Sequence, residues 1–387
     1  MTAEILTPKE MLARLVAFDT VSRGSNRALI DFVADYLRGH GVEPVLVPSD
    51  DGSKANLFAL IGPSVPGGVV LSGHTDVVPT DGQPWSSDPF EMVERDGRLY
   101  GRGTADMKGF VALALALVPE FAKRALTRPI ILAFSYDEEV GCLGAPRLIE
   151  TLLATVPRPE LVVIGEPTTM KPVNAHKGIR GYRVRITGRE AHSSLPQLGA
   201  SAILHATRLI GFIEELQQAE KDAADPASRF DPPWSTFNVG RIDGGTALNI
   251  IPRECEFLWD FRPVPGADED GVAERFRRHL DEVARPALAA EAPDASIELD
   301  VLASVPTLVP ERDGAAEALA RQLSGANEAG VVPFGTEGGL FQQAGLSTIV
   351  IGPGDIAQAH QTDEYLSLDQ LAAGQAFLER LADWAAA

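Results

Sequence analysis

Residues 71–79 read LSGHTDVVP. They close an apolar run, GGVVLSGH, in which glycine, histidine and aspartate replace the aliphatic residues where a strand would end. Strands that stay apolar without alternation are buried on both faces, as in parallel sheets covered by helices. Polar residues just beyond the carboxyl ends of such strands are where open α/β sheets place their active sites. The stretch therefore raises the question of whether other strands of the chain end in the same way.

They do. PIILAFSYDEE runs into Asp137, Glu138 and Glu139, LVVIGEP into Glu166, and STIVIGPGDIAQAH is followed by His360. Asp106, in GRGTADMKG, sits on the loop before a helix beginning near Lys108. Taken singly, each has an ordinary explanation: a core histidine, a helix cap, a turn residue before Pro167, a surface loop residue. Together, two imidazoles and several carboxylates without cysteine suit zinc or a neighbouring divalent metal in a catalytic site. His74, Asp106, Glu139, Glu166 and His360 are too many ligands for one open tetrahedral site but enough for two if one carboxylate bridges. Two divalent ions, three carboxylates and a hydroxide sum to neutrality, which eases burial. His74 and Asp76 are two apart and point the same way on extended backbone, so Asp76 is expected to accept the ring N–H that His74 does not turn to metal. Glu138 and Glu139 are adjacent and point apart, so one can bind metal while the other acts as general base. Spacing alone does not say which.

Up to about residue 175 helical patterns alternate with short apolar strands, as in an α/β fold with a mostly parallel central sheet. Helices are expected near 8–20 and 26–40, the first opened by a capping box of Thr7 and Glu10 with Pro8 at its first position. From Gly181 to Leu302 the order becomes strand, helix, strand, strand, helix, strand, the helix between the last two strands spanning about 268–284; this is the ferredoxin-like α+β pattern. The expected division is a catalytic domain at 1–180 and 303–387 with an inserted domain at 181–302.

Composition bounds the function. The 387 residues are 45% hydrophobic and 23% charged, ordinary globular usage. Thirty-four basic against 54 acidic residues give a net charge of −20, which repels phosphate backbones and anionic membranes, so no nucleic-acid and no membrane partner is expected. Cys142 and Cys255 form no metal-type spacing and read as buried thiols. The longest apolar run, FVALALALV, has about half the length a membrane span needs, and the amino terminus reads as a helix start rather than a signal peptide, so a soluble, cytoplasmic protein is expected. HExxH and GxSxG are absent, and GRGTAD lacks the third glycine of a dinucleotide loop.

SGHTDVVP, GRGTADMKG, DEEVG, GEPT and AHQTDEY resemble, in order and spacing, the M20 metallopeptidase and deacylase family over nearly the whole chain. The resemblance implies a di-zinc α/β catalytic domain, cobalt being the alternative metal, and an inserted ferredoxin-like dimerisation or lid domain forming a homodimer. It implies Asp106 as the bridge, His74 and Glu166 on one metal, Glu139 and His360 on the other, and Glu138 as the base. It implies that His192, in EAHSSLPQLGASAI, steadies the oxyanion in the neighbouring subunit, and that Asn249 in ALNIIP and Arg262 in DFRP contact substrate. IGEPTTMKPVNAHKG, GPGDIAQAHQTDEYL and FGTEGGLFQQAG are most similar to the acetylornithine deacetylase group, which places an acidic residue at Glu337. The implied substrate is a small N-acyl amino acid. Succinyl-diaminopimelate desuccinylase and glutamate-type carboxypeptidase chemistries are the nearest rivals. A non-catalytic binding module with a structural metal is the rival from another class, and Glu138, superfluous in a structural site, speaks against it.

Overall fold

A computed structural model describes residues 4–387. The described residues form two compact units: one of residues up to 175 with 308–331 and 336–387, the other of 176–307 with 332–335.

The first unit is built on an eight-stranded mixed sheet. Its strands lie in the order Pro44–Pro48, Ala55–Ile61, Ile130–Ser135, Val69–His74, Leu161–Ile164, Ser347–Val350, Val173–His176 and Gly330–Val332. The four central strands, from Ile130–Ser135 to Ser347–Val350, run parallel, and antiparallel neighbours flank them. Every residue of Val69–His74, Ile130–Ser135 and Leu161–Ile164 is buried, the condition that lets these strands be apolar throughout.

Lys108–Ala116 is buried on every side, as expected of a helix without a polar face. It lies close to the sheet because Gly73 and Gly165 have no side chain. A Cβ on Gly73 would stand 2.8 Å from Met107 Cε, and one on Gly165 would stand 2.0 Å from the Phe110 ring.

The capping box of Thr7 and Glu10 starts the helix Pro8–Val16. This helix ends four residues before the expected boundary because loop pairing takes the next backbone groups. Val77 N–H donates to Thr20 O, Ser22 N–H donates to Val77 O, and the Thr20 hydroxyl donates to Thr75 O.

The second unit carries a four-stranded antiparallel sheet in the order Thr236–Gly244, Glu254–Arg262, Ile179–Thr187, Ser296–Val305. Its apolar side, with Tyr182, Val184, Phe257, Trp259 and Phe261, shares a core with the helices Ala202–Asp222 and Glu269–His279. The second helical stretch runs beyond the expected end at 284: a π-helical turn at Leu280–Ala284 leads into Arg285–Glu291. A π turn accommodates the missing N–H and the ring of Pro286, so the proline does not end the helix there.

Candidate metal centre

Three strand ends and two loops of the first unit bring the acidic and imidazole residues together. His74 ends its strand, Glu138 and Glu139 follow Ile130–Ser135, and Glu166 follows Leu161–Ile164 through Gly165. Asp106 precedes the helix Lys108–Ala116, and His360 follows the short helix Ile356–Gln358 with its backbone in the left-handed region at φ 61°. His74 Nε2 lies 3.0 Å from Asp106 Oδ1 and 3.7 Å from Glu166 Oε1. His360 Nε2 lies 3.3 Å from Asp106 Oδ2 and 3.0 Å from Glu139 Oε2. Asp106 therefore turns one oxygen to each imidazole, the disposition of a bridging carboxylate.

These spacings can be tested against a metal. Ligands about 2.0–2.2 Å from a tetrahedral zinc stand about 3.4 Å from one another, and the four distances bracket that value. Glu138 reaches the same cluster: one ligand atom each from His74, Glu138 and Glu166 lie within 4.8 Å of one another, as do those of His74, Asp106 and Glu139. The inner group is sealed, with His74, Asp106 and Glu166 buried, whereas the His360 side chain is 53% exposed.

The electrostatics also fit a cation site. Asp106, Glu138, Glu139 and Glu166 bring four carboxylates to two imidazoles. Burial pushes the carboxyls of Glu138 and Glu166 well above the usual range, with neighbouring carboxylates adding to the rise. Glu139 is raised to about 7 by burial and the Asp106 charge. Burial opposes protonation of His74, yet the Asp106 hydrogen bond and the Glu166, Glu138 and Asp106 charges raise it well above its ordinary value. His360 rises to about 10 through hydrogen bonds to Asp106 and Glu139. Protons are here doing what divalent cations do better: balancing carboxylates held together out of water.

The structure corrects the expected role of Asp76. His74 Nδ1 lies 2.9 Å from the backbone carbonyl of Asp76 and 3.7 Å from its carboxylate. The ring N–H thus goes to the peptide group, which still sets the tautomer with Nε2 facing Asp106. The carboxylate instead accepts the N–H groups of Glu138 (3.1 Å) and Glu139 (3.3 Å) and the Ser22 hydroxyl (2.7 Å). It caps the acidic loop. Asp137 turns away from the cluster to Lys54, at 2.5 Å.

Glu337 is 2% exposed, accepts from the Ser72 hydroxyl at 3.2 Å, and has a buried Oε1 without a hydrogen-bond partner. It is no solvated loop residue. The remaining expected residues belong to the second unit. His192 is exposed, and its Nδ1 accepts from the Ser194 N–H, so its proton is on Nε2. The Asn249 side chain is exposed while its carbonyl accepts from Ser193 N–H. Arg262 donates through Nε to Asp260 at 2.8 Å.

Cys142 is a buried free thiol, as expected, and lies 3.5 Å from Glu138 Oε1; the roles of Ser22 and Lys54 were not anticipated from the sequence. Nothing in their local sequence marks them.

Comparison with known proteins places this arrangement. Residues 70–384 match the profile of the peptidase family M20/M25/M40. The chain is 38% identical over 376 residues to an acetylornithine deacetylase of Myxococcus xanthus, covering 95% of each chain. It is 36% identical over 384 residues to one of Pasteurella multocida, covering 96% of each. Among solved structures, an M20 family metallo-carboxypeptidase of Sulfolobus solfataricus superposes with a TM-score of 0.77 at 18% identity, over 98% of this chain and 99% of that one.

Proposed function

The chain belongs to peptidase family M20/M25/M40 and is a metal-dependent hydrolase, and from that premise we propose that it removes the acetyl group of N2-acetyl-L-ornithine, releasing acetate and L-ornithine in arginine biosynthesis. The observation that carries the chemistry is the single carboxylate of Asp106 offering one oxygen to each imidazole. The substrate is argued from the curated relatives at 36–38% identity and from Glu337.

His74, Asp106 and Glu166 would hold one divalent ion and Asp106, Glu139 and His360 the other, zinc being the better fit to this ligand set and cobalt the alternative. When bound, such ions supply Lewis acidity and bring the pKa of water from 15.7 down to about 7. Glu138 is the base. Burial raises its carboxyl, which suits a group that must take a proton from water and return it to the leaving amine near neutral pH. His192, with its proton on Nε2, donates to the oxyanion. It does so in the opposing protomer of a homodimer formed through the second unit, whose exposed Leu195, Leu198, Leu204 and Leu248 would be covered by assembly. Arg262, anchored by Asp260, presents the rest of its guanidinium to the α-carboxylate, and Asn249 contributes a polar contact. The unpartnered Oε1 of Glu337 receives the δ-ammonium group. No helix of the described residues is long and apolar enough to cross a membrane.

The test is a panel of N2-acetyl-L-ornithine, N-succinyl-L,L-diaminopimelate and a glutamyl dipeptide on zinc-loaded protein. Acetylornithine should be hydrolysed fastest, and a preference for either of the others refutes the assignment. Glu138→Gln should retain zinc and lose hydrolysis. Glu337→Gln should depress acetylornithine turnover more than that of a neutral acetyl-amino acid.

A further inference from the structure

Glu364 lies four residues after His360 in sequence, is 1% exposed, and faces the loop that carries Asp106. Its Oε1 accepts the N–H groups of Ala105 at 2.9 Å and Asp106 at 3.1 Å. Its Oε2 accepts the Gly103 N–H at 3.0 Å and Arg102 Nη1 at 2.7 Å. One buried carboxylate thus terminates three peptide donors of a loop, the last belonging to the bridging residue itself. Arg102, also 1% exposed, continues the tie in the other direction. It donates to Gln361 O at 3.3 Å and Gln83 Oε1 at 2.6 Å, while Gln83 Nε2 donates to His360 O at 3.0 Å.

These contacts bracket the two loops from below and from outside. The His360 imidazole stands half in solvent on a left-handed backbone, and its Nε2 contacts Asp106 and Glu139. Its position relative to Asp106 is set by the chain on either side of it. His74 and Glu166, by contrast, are carried by strand ends of the central sheet and need no such bracket.

We infer that Glu364, tied to Arg102, is a positioning residue that fixes the separation of Asp106 from His360, and so sets the affinity of the outer ion position, which both residues would hold, more than that of the inner one, where Asp106 is joined by two ligands carried on strand ends of the sheet. The inference rests on the reading of a metal pair given above. It predicts a split that general destabilisation would not produce. In Glu364→Gln one acceptor oxygen becomes an amide nitrogen facing donors. The outer zinc Kd should rise about 10- to 100-fold, the range found when groups that orient metal ligands are removed, while the inner Kd stays within about threefold.

The experiment titrates zinc chloride alone into metal-free full-length protein by calorimetry, and follows backbone hydrogen exchange of residues 101–107 and 360–364 in the same metal-free protein. Both loops should exchange faster in metal-free Glu364→Gln than in the metal-free unaltered protein. A folded variant with both zinc steps and both loops unchanged overturns the inference, and so does an equal loss at both sites. Should Glu364→Gln fail to fold, Gln83→Ala, which opens the bracket from outside, decides by the same two readouts. If the unaltered protein takes up only one zinc, the metal-pair reading fails on its own account. Exchange in the two loops then still tests the bracket, and protection unchanged in the variants refutes it.

Discussion

The carboxylate of Asp76 gathers two peptide N–H groups of the acidic loop and one hydroxyl, so its loss should be felt by Glu138 and Glu139 before it is felt by His74. Hydrogen bonds to a buried charged acceptor contribute about 1.5–3 kcal/mol each. Asp76→Ala, which removes all three, should therefore cost at least about 4.5 kcal/mol of stability and, by letting Glu138 drift, about 10²-fold in kcat. His74 keeps its tautomer through a backbone carbonyl that the mutation leaves in place. Zinc retention at the inner site with loss of turnover supports this order, and loss of zinc together with turnover contradicts it. His176 gives a second residue-scale prediction. Buried with Nε2 unpartnered, it is lowered by desolvation from 6.5 to about 4. The unfolded chain binds this proton at higher pH than the folded one, so the contribution is complete above 6.5 and is lost as pH falls toward 4. The loss amounts to about 3 kcal/mol. His176→Gln should flatten the acid limb of the urea-midpoint profile over that window, and an unaltered limb counts against the assignment.

At the scale of elements, close approach of helix and strand sets where Glu166 stands. Gly165→Ala would drive a methyl to 2.0 Å from the Phe110 ring. Overpacking of this kind costs about 1–3 kcal/mol or more, and here the displacement falls one residue from a metal ligand. The variant should lose stability and inner-site zinc affinity together, with Phe110→Leu in the same background restoring part of both; no restoration would place the cause elsewhere. The same scale separates what could be read in the sequence from what could not. Central strands announce themselves because burial on both faces removes alternation. The polar residues just beyond them stand out for the same reason, which made His74, Glu139 and Glu166 candidates; Asp106 and His360, on loops away from the strand ends, became candidates only in company with these. The partner of the His74 N–H was not, because carbonyl and carboxylate of one residue compete and local backbone geometry decides. Glu364 sat in a quoted motif, yet its work is done on a loop 258 residues away, which no local pattern encodes. The helix end at Val16 was missed because neighbouring loops claimed its next backbone groups. The continuation past Pro286 was missed because a π turn absorbed the proline.

For the whole molecule, a centre that gathers four carboxylates around two imidazoles makes stability depend on pH and metal together. Without metal, Glu139 is held up near 7 and His360 near 10. Both folded values exceed the unfolded ones. Each contribution is therefore complete below the unfolded value, about 4.5 for Glu139 and 6.5 for His360, and is lost as pH rises through the folded one. Asp106, lowered by its two histidine hydrogen bonds against the opposing cost of burial, acts in the opposite sense only at acid pH. The centre's own contribution to the stability of metal-free protein should thus fall from pH 6.5 to 9, against a rise from Lys108, which burial lowers to about 7 and which counts equally with and without metal. Divalent ions bind these groups in their deprotonated forms and become tighter ligands as pH rises, adding about 4 kcal/mol when free metal stands at 1,000 times Kd. The gap in Tm between zinc-loaded and chelator-treated protein should accordingly widen steadily across that range. His74→Ala, which removes an inner-site ligand, should narrow it at every pH. A gap that is constant with pH would mean that zinc binds somewhere other than among these carboxylates and imidazoles.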